Sequence, residues 1–117
     1  MYADAALQCN FAEYVLPAAQ TRGCQVIVGI WPDVPSSLNL DLSYLRQYLP
    51  GHEAQVYAIT VGSETLYRGN FTGPSLLQVI NQVKADFPGF KIGTADSWNK
   101  YADGTADALV QGGVDLL

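Results

Sequence analysis

Short β-branched runs recur along this chain about every thirty residues, with helical patterns between them. That alternation restricts the fold more than any other feature of the sequence. Residues 25–30 (QVIVGI), 55–61 (QVYAITV) and 90–95 (FKIGTA) read as strands, and a fourth run begins at residues 114–117 (VDLL). Their apolar residues fall on consecutive positions, which suits strands covered on both faces, as in a parallel sheet. Helical patterns occupy residues 10–21, 41–49, 74–87 and 104–111. In the first, Asn10 followed by Glu13 approximates a capping box, and Phe11, Tyr14, Val15, Ala18 and Ala19 share one face. Pro17 predicts a kink or an early end there. The third has Thr72 or Gly73 as cap, Pro74 in its first turn and a stripe of Leu76, Leu77, Ile80, Val83 and Phe87. Gly112-Gly113 closes the last.

Strand starts at residues 25, 55, 90 and 114 lie 30, 35 and 24 residues apart. A (β/α)8 barrel repeats about every 31 residues, and a doubly wound sheet has a similar spacing. The chain reads as opening on a helix with no strand before it and closing inside an apolar run. The expected fold is therefore α/β: parallel βα units forming part of a (β/α)8 TIM barrel, an incomplete barrel. An open sheet of the flavodoxin class is the alternative.

Composition excludes several functions. The 117 residues are 49% hydrophobic and 15% charged, enough for one domain with a sizeable core. Six Lys and Arg against eleven Asp and Glu give a net charge of −5. No cationic cluster exists for nucleic acid or for an anionic membrane surface. No apolar run approaches the roughly 18 residues of a membrane span, and residues 1–10 lack the basic and apolar regions of a signal peptide. Cys9 and Cys24 are too few for a zinc site or a disulfide framework; they read as small buried hydrophobes or as one bridge. No cofactor motif and no metal spacing appears.

The carboxyl ends of parallel strands are where such folds place chemistry. The first strand runs into Trp31, Pro32 and Asp33, the second into Ser63 and Glu64, the third into Asp96, Ser97 and Trp98. Each end carries an acid and two carry a tryptophan. Indole faces can stack on sugar rings, and carboxylates can bond hydroxyls or move protons. Asp96 serves equally as a helix cap. Glu64 follows a mostly apolar strand: it is either partly desolvated, which would hold part of it protonated near neutral pH, or a solvated glutamate in the first turn of the loop. Tyr67 and Arg68 lie one turn further, Tyr67 as a subsite wall and Arg68 to orient a carboxylate or hydroxyl. Asn70-Phe71-Thr72 forms a glycosylation sequon, although Thr72 alone is also explained as a cap.

Residues 61–69 (VGSETLYRG) resemble the acid/base segment of glycoside hydrolase family 17, the β-1,3-glucanases and glucanosyltransferases, in its fungal branch. Residues 10–19 (NFAEYVLPAA) are similar to the family's helix after its second strand. Residues 26–31 (VIVGIW) resemble its third strand, and residues 92–99 (IGTADSWN) its fifth. The resemblance implies a (β/α)8 barrel and a retaining glycosidase, which uses two carboxyl groups about 5–5.5 Å apart. It makes Glu64 the acid/base and puts Ser63 near the sugar 2-hydroxyl; with the strand-end residues Trp31, Tyr67, Asp96 and Trp98, Ser63 completes the candidate substrate-binding set. The nucleophile, a glutamate near the family's seventh strand, is absent from this chain. Residues 1–117 then form a single partial domain, from about the second helix to the start of the sixth strand. The expected partner is β-1,3-glucan or a related polysaccharide, so the implied location is extracellular, at the cell wall. A catalytically inactive glucan-binding or truncated α/β module is the competing reading.

Two departures accompany the resemblance. Ser63 stands where related barrel glycosidases commonly have Asn before the acid/base. Gln8-Cys9-Asn10 replaces the usual Asp-Cys-Asn.

Overall fold

The structure is a computed structural model, which describes residues 2–4 and 11–117. Four parallel strands make one sheet in the order β1 (Tyr2–Asp4), β2 (Val26–Ile30), β3 (Val56–Ser63), β4 (Lys91–Ala95). Strand order follows chain order with no reversal. A doubly wound sheet reverses at its switch point, so this sheet has the order of a barrel wall. Right-handed crossovers then bring every connecting helix to the same face. Beyond β4, Leu116 bridges in parallel to Gly93, where the fourth apolar run was expected to begin.

The strand β1 corrects the expectation that a helix opens the chain. Its three residues, Tyr-Ala-Asp, carry no β-branched run, and pairing with Ile27, Val28 and Gly29 defines it instead. The next helix forms in two parts. A π-helical turn (Phe11–Val15) leads into α1 (Leu16–Arg22), and Pro17 lies in the first turn of α1. Val15 is itself helical, so Pro17 stands inside a continuous helical segment, and its missing N–H falls where the π-turn gives way to α1, the interruption expected of it. Helix α2 (Pro35–Tyr48) begins at Pro35, where a first-turn proline loses no hydrogen bond, well before residue 41. Cys9 and the capping pair that begins at Asn10 lie outside the described residues. Cys24 is exposed, contrary to its reading as a buried hydrophobe.

Helix α3 (Gly73–Asp86) forms as its sequence directs. The Thr72 hydroxyl accepts the Ser75 N–H at 3.2 Å, and the Ser75 hydroxyl takes the Thr72 N–H at 2.9 Å, a reciprocal cap. Leu76, Ile80, Val83 and Phe87 are buried. Two short helices follow β4: α4 (Trp98–Ala102) and α5 (Asp107–Gln111). The core joins Phe11 and Leu16 with Val28, Ile30, Leu45, Leu49, Ile59, Leu76, Ile80, Ile92 and Leu109. In β3 every residue from Ala58 to Gly62 is buried, as a sheet covered on both faces requires.

Candidate active-site rim

Parallel pairing brings the strand ends together. Ile30 pairs with Val61 and Ser63 with Ala95, so Trp31, Glu64 and Asp96 emerge at one end of the sheet. That end also carries Ser63, Tyr67 and Trp98. All six sequence-derived candidates thus share a rim, and their surroundings differ sharply.

A bulge creates the Glu64 position. Between Thr60 and Ser63 on β3 there is one residue more than between Gly93 and Ala95 on β4. Gly62 absorbs it at φ 78°, and a Cβ there would press on Thr65 and Pro32. The Thr94 hydroxyl fills the broken ladder, donating to the Val61 carbonyl at 2.7 Å. Beyond the bulge the Glu64 N–H donates to the Ala95 carbonyl at 2.8 Å. Glu64 itself has φ 55° and is the only non-glycine at positive φ among the described residues. Its side chain is exposed, which corrects the desolvated reading: the left-handed turn carries Glu64 past the strand end, beyond the cover of the helices.

Asp96 is committed to the main chain. Its carboxylate accepts the N–H groups of Leu66 at 2.8 Å, Tyr67 at 3.1 Å and Ser97 at 2.8 Å. It therefore fastens the turn after Glu64 to the end of β4, and by accepting the Ser97 N–H it also stands at the start of α4. The negative charge of Asp96 also acts on Tyr101. Burial, reinforced by that charge, raises the Tyr101 hydroxyl above its ordinary pKa.

Trp31 is half-buried, and its main-chain N–H donates to the buried carboxylate of Asp41 at 2.8 Å. One face of its ring is covered by the Arg68 guanidinium, 4.5 Å from the centroid. Arg68 also donates to Asp33 at 2.7 Å and to the Ser63 carbonyl at 2.6 Å. Asp33, with a side chain only 7% exposed, accepts Asn70 Nδ2 at 2.5 Å on the same oxygen. Arg68 does orient a carboxylate, one belonging to its own chain. The sequon residue Asn70 has its amide engaged in this cluster, while Thr72 caps α3. Tyr67 and Trp98 stand free of such duties, 56% and 79% exposed. Sequence reasoning left Thr94, Asp41 and the Asp33–Arg68–Asn70 cluster unassigned. A glycine inside an apolar strand signals a bulge and pointed to this region. Among the described residues no group of three His, Cys, Asp or Glu is placed to hold a metal ion.

Known proteins resemble the chain over nearly its whole length. A glucan 1,3-beta-glucosidase of Arthroderma benhamiae is 60% identical over 113 residues, covering 97% of this chain and 37% of that protein. Proteins of the same name from Schizosaccharomyces pombe and Saccharomyces cerevisiae are 40% and 34% identical. They cover 87% and 92% of this chain, and 34% and 38% of their own lengths. The chain is homologous to the fungal β-1,3-glucan enzymes of glycoside hydrolase family 17. It spans little more than a third of the curated relatives it matches. No protein-family model matches it. Among solved structures, an active-site mutant of Rhizomucor miehei beta-1,3-glucanosyltransferase in complex with laminaritriose superposes with a TM-score of 0.75 at 32% identity. That match covers 94% of this chain and 41% of the other. The family fold and the sequential parallel sheet agree: these are βα units of a partial (β/α)8 barrel.

Proposed function

We propose that the full-length protein carrying these residues is a retaining glycoside hydrolase or glucanosyltransferase acting on β-1,3-glucan, with Glu64 as its acid/base. The observation that carries this reading is the position of Glu64. It stands on a bulged strand end, on one rim with Trp31, Tyr67 and Trp98, in a chain 60% identical to a glucan 1,3-beta-glucosidase. In this reading β1 to β4 are the second to fifth strands of the barrel, and Leu116 starts the sixth. The nucleophilic carboxylate comes from residues outside 1–117. It attacks the anomeric carbon while Glu64 gives its proton to the departing glycosidic oxygen. Glu64, now ionised, takes a proton from water or an acceptor sugar hydroxyl, whose oxygen displaces the nucleophile. Ser63, Trp31, Tyr67 and Trp98 bind sugar around it. Such a substrate places the protein outside the cell, at the wall. Among the described residues no helix is long and apolar enough to cross a membrane.

Glu64→Gln in the full-length protein tests the reading. General acid–base catalysis supplies about 10²–10⁴-fold, so turnover of β-1,3-glucan should fall by that order while binding survives. An aryl glucoside with a very good leaving group should keep its first step, and azide should rescue the second. Equal loss on both substrates without azide rescue would make Glu64 a structural carboxylate. The 117-residue chain alone should bind glucan weakly and cleave none.

A further inference from the structure

The peptide bond that leads into Glu64 is held at both ends. Its carbonyl, from Ser63, accepts Arg68 Nη1 at 2.6 Å, and its N–H donates to Ala95 at 2.8 Å. The carbonyl of Glu64 accepts the Arg68 N–H at 2.9 Å. Between these three bonds lies the left-handed backbone at φ 55°. A side chain in that region crowds the neighbouring carbonyl, so the conformation persists only where its surroundings over-determine it. Residue 68 supplies two of the three restraints, one through its main-chain N–H and one through the Arg68 guanidinium.

The guanidinium is itself fixed. Its Nη2 donates to Asp33 at 2.7 Å, and its plane lies over the Trp31 ring. Asp33 is nine-tenths buried and also holds Asn70, so the far end of the pair is anchored. Backbone dihedrals at residue 64 set the direction of its Cα–Cβ bond, and hence where the carboxyl group goes. We infer that Arg68 is a positioning residue for the acid/base, locking Glu64 left-handed so that its carboxyl group is presented in one direction at the rim. The inference rests on the acid/base reading of Glu64. Lysine is no substitute, because one ammonium cannot fork between Ser63 and Asp33 while stacking on Trp31.

The test uses the full-length protein with Arg68→Lys, Asp33→Asn and Glu64→Gln side by side. Misplacing an acid matters where the leaving group needs a proton and matters little where it does not. Arg68→Lys should lose about 10–100-fold in kcat on β-1,3-glucan oligosaccharides with KM nearly unchanged. It should lose no more than about twofold in kcat/KM on a dinitrophenyl glucoside, which reads the first step alone. Asp33→Asn, which frees the guanidinium from its other end, should show the same split at smaller size. A split in Glu64→Gln alone overturns the inference and leaves the acid/base reading standing. A split in none of the three removes that reading and the inference with it. A second measurement reads the lock directly. Glu64→Gly should raise Tm by about 2–4 °C in the parent background, since glycine relieves the left-handed strain. In the Arg68→Lys background that gain should shrink by half or more, and an undiminished gain would overturn the lock.

Discussion

The main-chain N–H of Leu66 ends 2.8 Å from Oδ2 of Asp96, a residue thirty positions further along the chain. That bond, with the one from Tyr67, ties the turn after Glu64 to the next strand end. Asp96→Ala removes a charged acceptor from three N–H groups. The change should cost about 2 kcal/mol, read by urea unfolding. Asp96→Asn keeps one carbonyl acceptor and should recover part of that loss. A sugar ligand with no structural duty would leave the unfolding midpoint where it was.

Trp98 opens α4 with 79% of its surface exposed. Trp98→Ala should therefore change stability by less than about 0.5 kcal/mol. As a sugar platform it should still matter for binding, and KM for β-1,3-glucan oligosaccharides in the full-length protein should rise about fivefold or more. An unchanged KM would remove Trp98 from the binding residues.

Gly93 faces the carbonyl of Leu116 so closely that any Cβ would strike it. The flanking bonds, Asp115 N–H to Ile92 and Thr94 N–H to Leu116, are both 3.0 Å. Gly93→Ala must push that segment away. A loss of about 1–3 kcal/mol is expected, with faster amide exchange at Thr94 and Asp115 as its local sign.

Two groups set opposite limbs of the pH dependence. Asp115 accepts the Ile92 N–H first and the Lys84 ammonium second, and both lower its pKa below 3.8. Its folded value lies below its unfolded one, so the stability it adds is present above pH 3.8 and is lost as pH falls below it. Asp115→Asn should flatten that part of the acid limb. Tyr101 is shifted the other way, above 10.0, by burial and then by Asp96. The unfolded chain releases this proton first, so stability falls as pH rises past 10. Tyr101→Phe should remove that alkaline loss.

What the sequence disclosed follows from where the information is local. Helix α3 was legible because Thr72, Pro74 and the apolar stripe all specify it from within, and β2, β3 and β4 because their buried runs are continuous. Strand β1 has no such run; Tyr-Ala-Asp becomes a strand through its pairing with residues 27–29. The rim was legible as a set of residues, since strands that all run parallel put their carboxyl ends at one end of the sheet. The duties of those residues were not. Asp33 and Arg68 are thirty-five positions apart, and no pattern in either neighbourhood announces their bond. Left-handed backbone at a glutamate is likewise invisible, because side-chain chemistry there argues against the conformation that the bulge and its bonds impose.

The single carboxylate of Asp33 serves both Arg68 and Asn70. A protein engineer who grafts the residues 61–69 turn onto another barrel would transplant the glutamate without its footing, because that footing belongs to the preceding strand end. The portable unit is discontinuous: Trp31 and Asp33 from one loop, Ser63 to Asn70 from the next. Exchanging either loop alone between homologues should give a protein that folds and presents the Glu64 carboxyl group badly.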